Sequence, residues 1–257
     1  MYRRLRLLLL PCLMFGPSTI VRASTGAVVE KWKYDPETKL LSLRIVNTSD
    51  KDITAYNVAI ILKYADGTTD ALPGGVASHE QTEESLGAVI MAQMHKDAAL
   101  QNARGFEAGS SRYDYFPATK DVVDVQVVFN VVIYSDCTAE VQPGGERAFK
   151  RLMAMRKGPL LAMQKVNDVV KKVLADPTDL HPNITARTEL WQLVLAGADK
   201  HDTSEDAGGY QENALRNAVS DLDRMTNRTS LEKYVEENDK RIELTLPHTQ
   251  ISPVFAK

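Results

Sequence analysis

The chain is poor in cysteine, in aromatic residues and in long apolar runs, and it has no excess of basic charge. Two cysteines in 257 residues cannot form a disulfide-dense scaffold or a four-cysteine zinc site. With 31 basic against 34 acidic side chains, the net charge of -3 leaves no basic footprint for nucleic acid. Beyond the N-terminus no apolar stretch approaches the roughly 20 residues that a membrane-spanning helix needs, so no membrane span is expected in the mature chain. The familiar catalytic spacings are missing too. His79-Glu80 has no second histidine at zinc-protease spacing. Gly109-Ser110-Ser111 lacks the Gly-x-Ser-x-Gly elbow, and no glycine-rich loop is followed by Lys-Ser/Thr. No cofactor and no catalytic residue are therefore expected.

What is present begins with a leader-like segment. Arg3, Arg4 and Arg6 precede a short apolar run broken by Pro11, and Val21-Arg22-Ala23 resembles a cleavage site. Residues 1–23 read as a secretory signal peptide cut between Ala23 and Ser24, with an uncleaved anchor as the alternative. The protein is then expected to be exported, to the periplasm or the extracellular space. Cleavage would remove four arginines, Cys12 and no acid, leaving 234 residues with net charge -7. Cys137 would be the sole cysteine, in an oxidising compartment, either as a free thiol or as the link of a disulfide-bonded homodimer.

Hydrophobic periodicity divides the rest. Ten aromatic residues lie between Trp32 and Tyr134 and five lie from Phe149 onward. Alternation at Leu41, Leu43 and Ile45, then at Tyr56, Val58, Ile60, Leu62 and Tyr64, predicts half-buried strands. Val123, Val125, Val127, Phe129, Val131 and Ile133 predict one face of the strongest strand. Residues 79–104, rich in Ala, Met and Glu, predict an inserted helix, with Ser78 and Gln81 as its capping box. After the Gln142-Pro143-Gly144-Gly145 turn, helical periods take over. One helix is expected over 146–157, another starting at Pro159, and a long one over 211–237. Ile242, Leu244 and Leu246 predict a short strand in the tail. The expected organisation is α+β: a β-sandwich over 24–142, a helical region over 143–240 and a tail over 241–257.

Tyr64-Ala65-Asp66-Gly67-Thr68 and Tyr134-Ser135-Asp136-Cys137-Thr138 echo one another at strand ends. Both predict tight turns in which the aspartate bonds its own backbone and the next residue takes a positive φ. Asp66 and Asp136 are also candidate calcium ligands, although neither turn supplies six oxygens. His79, Glu83 and His95 could meet at a metal only if the inserted segment bends. Asn47, Asn183 and Asn227 begin Asn-x-Ser/Thr triplets that serve as turn or capping residues, or as glycan acceptors in a eukaryotic secretory pathway.

The run from Leu41 through Asn47-Thr48-Ser49-Asp50 to Tyr56, then Lys63-Tyr64-Ala65-Asp66-Gly67, is similar to exported bacterial immunoglobulin-like β-sandwich domains. The Ala108-Gly109-Ser110-Ser111 turn and the strand ending Tyr134-Ser135-Asp136 add to the likeness, which covers roughly residues 25–142. The resemblance implies an N-terminal immunoglobulin-like antiparallel sandwich and an exported location, and it implies no reaction. Cys137 departs from the pattern, since glycine suits such a turn better. The expected function is that of a non-enzymatic, protein-binding or envelope-associated protein. The alternative is a secreted hydrolase or metal-dependent enzyme with its site at the sandwich–helix junction.

Overall fold

The computed structural model describes residues 26–71, 80–95, 105–197 and 207–255. The signal-peptide segment with Ala23 and Ser24, and also Ser78 and His79, lie outside the described residues. The chain is α+β, with two sheets and five α-helices among the described residues. β1 (Ala27–Asp35), β2 (Leu40–Asn47) and β6 (Ser111–Pro117) form an antiparallel sheet in the order β1-β2-β6. The second sheet is centred on β3 (Ile53–Tyr64) and β7 (Val122–Tyr134). β4 (Thr69–Ala71) and β5 (Glu80–Glu84) pair in succession with one edge of β3. β8 (Thr138–Val141) follows β7, and β9 (Ser252–Phe255) closes the row parallel to β8. The alternating residues Leu41, Leu43 and Ile45 of β2 meet Tyr56, Val58, Ile60, Val127 and Phe129 in one core shared by both sheets.

Three bulges in the β3–β7 ladder decide which face these two strands bury. The β3–β7 register shifts at Thr54, at Asn130 and at Val123, each of which lacks a cross-strand partner. A bulge adds one residue to one strand, and a one-residue slip turns every later side chain to the other face. The expectation of a single apolar face from Val123 to Ile133 is corrected accordingly. Val123 is 51% exposed. Val125, Val127 and Phe129 face the core between the sheets, and past Asn130 that role passes to Val132 and Tyr134. Val131 and Ile133 instead enter a second core with Ala139, Val141, Ala148 and Leu152.

The inserted helix expected over 79–104 is also corrected. Its first part is β5, paired antiparallel with Ala55 to Ala59 of β3, and helix α1 covers only Leu86–His95. Residues 96–104 lie outside the described residues. The free backbone groups along the β3 edge offer a ladder that outweighs the helical preference of Glu and Gln. Ser85 ends the strand by donating its N–H and its hydroxyl to the Thr54 carbonyl, at 2.8 and 2.9 Å.

α2 is one 29-residue helix, Glu146–Leu174, about 44 Å long, and no new helix begins at Pro159. An interior proline costs about 3 kcal/mol. Burial on both sides of it, at Leu152 and Ala154 and again at Ala162 and Val166, holds the helix together. The N-terminal half of α2 packs on the second sheet through Ala148 and Leu152. Its C-terminal half packs through Val166, Val170 and Val173 on α3 (Pro182–Gly197), α4 (Ala207–Leu222) and α5 (Arg228–Thr245). A Cβ on Gly158 would lie 2.6 Å from the Ala207 carbonyl and 2.7 Å from the Gln211 nitrogen, so α2 and α4 touch backbone to backbone there. The long helix expected over 211–237 is two helices. Asn227 accepts from the Ser230 N–H at 2.8 Å and donates its own N–H to Ser230 Oγ, and this reciprocal cap starts α5. Ile242 and Leu244 lie within α5 and Leu246 opens a 3₁₀ turn (Leu246–Thr249), so the tail strand falls later, at β9. No helix among the described residues is long and apolar enough to cross a membrane.

Candidate functional site: a cleft between the second sheet and the helices

The bulge at Thr54 turns this hydroxyl toward α2. Thr54 Oγ1 accepts from Arg156 Nη2 at 2.9 Å. Arg156 is 3% exposed and grips Glu84, at the end of β5, in a bidentate pair: Nε to Oε2 at 2.8 Å and Nη2 to Oε1 at 3.1 Å. Glu84 Oε1 also accepts the Leu86 N–H at 2.9 Å and so caps α1. One arginine thus ties together the β3 bulge, the β5 edge strand, the start of α1 and the middle of α2.

Beside this pair opens a cleft of about 490 Å³. Its walls are mainly apolar: Ile90 and Met91 from α1, Met155 and Met163 from α2, Ala214 and Ala218 from α4. Tyr234, Asn238 and Arg241 of α5 close the far side. Burial, and then the nearby Asp221 carboxylate, push the Tyr234 phenol up, against Asn238 and Arg241, which pull it down. Three N–H donors of lining residues have no protein partner: Arg156 Nη1, Arg241 Nε and Asn238 Nδ2. Each orphaned buried donor costs roughly 1–3 kcal/mol. Arg241 does reach Met91 Sδ through Nη2, at 3.2 Å. No Ser, Cys or His lines the cleft among the described residues, and Glu84 is engaged through both oxygens. The arrangement offers apolar surface, hydrogen-bond donors and, at Asp221, an exposed carboxylate.

None of the candidate site residues named from the sequence lines this cleft. Asp66 and Asp136 sit in two turns of the same design. In each, Oδ1 accepts the N–H and hydroxyl of the threonine two residues on, and a lysine (Lys120 or Lys51) pairs with Oδ2 and lies 5.5 Å from the ring of Tyr64 or Tyr134. Lys120 and then Thr68 hold the Asp66 carboxyl well below the usual range. For Asp136, burial is the largest single influence and opposes ionisation, but Lys51 and Thr138 outweigh it and keep that carboxyl low as well. No group of three or more His, Cys, Asp or Glu able to hold a metal occurs among the described residues. The backbone of His95 is described but its side chain is not. The residue after each aspartate takes a positive φ, 82° at Gly67 and 63° at Cys137.

Cys137 is half-buried, with Sγ 3.3 Å from Nδ1 of His248 in the 3₁₀ turn. Burial pushes the thiol up, with Arg156 opposing and Asp136 adding to it. Burial, then Arg156, pushes the imidazole down from its ordinary value near 6.5. Both shifts favour the uncharged thiol and the uncharged imidazole, the opposite of what activates a nucleophile. A disulfide to a second copy would require Sγ to leave His248. Because the fold favours neutral His248, its contribution to stability is complete above about pH 6.5 and is lost as pH falls through the lower folded value. Thermal melts between about pH 7 and pH 5 should show a steeper acid loss in the native protein than in His248→Gln. Identical slopes would remove His248 as the titrating group.

The sequence signal for the cleft was available at one position. Ala148, Leu152, Arg156, Met163, Val166, Val170 and Val173 share the inward stripe of α2, and Arg156 is the charged residue among them. Glu84, Asn238 and Arg241 carried no comparable signal before β5 and α5 were placed. No family model and no curated protein matches the chain. A solved hypothetical protein from Peptoclostridium difficile 630 is similar over 44% of this chain and 85% of its own, at 13% identity and a TM-score of 0.29. A likeness of that size carries no argument about fold or function.

Proposed function

We propose that the chain is an exported, non-enzymatic binding protein, and that the cleft beside Arg156 is where it binds. The carrying observation is the cleft itself. Its volume of about 490 Å³ falls in the range of small-molecule sites, roughly 300–1,000 Å³, with apolar walls and a few convergent donors. Export is supported by the basic and apolar segment ahead of Ser24. An immunoglobulin-like sandwich over 24–142 is supported by two sheets, paired antiparallel except at β8–β9, with one shared core, and residues 143–240 supply helices that wall the cleft. From the sequence a protein partner is expected, whereas a cleft of this volume favours a small ligand. A hydrolase at this junction would draw on Asp221, the lining carboxylate that Arg156 does not engage, and no Ser, Cys or His stands beside it among the described lining residues.

The test is binding of Nile red, a neutral dye that brightens in apolar surroundings. The purified protein should raise its emission. Gly87→Trp should abolish the rise, because a side chain at this lining position meets nothing within 4 Å of its Cβ and adds bulk without disturbing packing. No rise with the native protein, or an equal rise with both proteins, would remove the cleft as the binding site.

A further inference from the structure

We infer that the cleft selects an amphipathic anion, an aliphatic carboxylate whose chain lies along the methionine wall and whose head takes the unpartnered donors of Arg156, Asn238 and Arg241. The inference rests on the cleft being the binding site. Three lining methionines, Met91, Met155 and Met163, are unbranched and adaptable, which fits a flexible chain better than a rigid ring system. The orphaned buried polar atoms of the lining residues are all donors: Arg156 Nη1, Arg241 Nε and Asn238 Nδ2. A guanidinium cannot lose its proton or accept a hydrogen bond. Only an acceptor group on the ligand satisfies such a set, and a carboxylate satisfies several donors at once with charge-assisted bonds.

The charge pattern points the same way. Arg156 is matched by Glu84. Arg241 has Met91 Sδ as its hydrogen-bond acceptor, and its Nε is buried without a partner. Asp221, the other carboxylate of the lining, is exposed and forms no ion pair with Arg241. Arg241 therefore stands beside apolar surface with no carboxylate in contact, a setting that the head of a fatty carboxylate would complete.

The experiment is calorimetric titration of the purified full chain with dodecanoate and with 1-dodecanol, which has the same chain without the charge. Dodecanoate should bind at least about tenfold more tightly, the difference expected for a hydrogen-bonded charged head. Arg241→Gln should shrink that ratio, because it weakens the charged dodecanoate more than the neutral dodecanol. The comparison on the unaltered chain needs no variant, so it decides even if the variant fails to fold. Equal affinity for the two compounds would overturn the anion inference and leave the binding cleft standing. Binding of neither would overturn both. A ratio left unchanged by Arg241→Gln would show that the head does not use these donors, and would overturn the assignment.

Discussion

Arg156→Leu should destabilise the protein by about 3–5 kcal/mol, the usual cost of removing one partner of a buried ion pair. The side chain is 1% exposed and its partner Glu84 19% exposed, so water cannot replace the lost contacts. Leucine would strand the Glu84 carboxylate with only the Leu86 N–H, and Thr54 Oγ1 would lose its donor. At roughly 2–4 °C per kcal/mol for a chain of this size, the midpoint should fall by about 10 °C. The loss is mostly the penalty of an uncompensated charge, so it should be largely recoverable. Arg156→Leu combined with Glu84→Gln should restore most of the stability, since an apolar and neutral replacement of a buried pair is often close to neutral. The double-mutant cycle reads this coupling directly. A single-variant loss below about 1 kcal/mol, the scale of surface pairs, would show that the pair is solvated in the native protein.

Leu152→Ala should cost about 2–5 kcal/mol, the range for deleting a buried leucine side chain. Leu152 is fully buried where α2 meets the second sheet, against Val131, Ile133 and Val141. The same contact makes a sharper statement about cooperativity. If this core joins sheets and helices into one unit, far-ultraviolet dichroism, dominated by the helices, and the near-ultraviolet signal of the sheet tyrosines should melt together and shift together. A melt in two steps, with only one displaced by Leu152→Ala, would show that the two parts unfold independently.

Much of the local structure could be read along the chain. The alternation at Leu41, Leu43 and Ile45 is set by the pleat, and those residues are buried in β2 as the pattern requires. The positive φ after each turn aspartate follows from the hydrogen bonds that Asp66 and Asp136 make to their own backbone neighbours. The stripe of α2 was readable for the same reason, since neighbours three and four apart share a face. These features depend on residues within a few positions of each other.

The cleft was not readable, because no local rule brings its parts together. Glu84 and Arg156 are 72 residues apart, and they meet only because β5 pairs with the edge of β3. Composition argued for a helix there, and a ladder to Ala55–Ala59 that no local pattern could announce made it a strand. The switch of faces at Asn130 depends likewise on a partner strand, since a bulge exists only relative to the register of the other chain segment. Local periodicity and turns were thus matters of the sequence alone. The faces beyond each bulge, the strand state of β5 and the unpartnered donors around Arg156 were decided by tertiary structure. Pairing and desolvation belong to contacts between distant segments, and they override a propensity of a few tenths of a kcal/mol per residue.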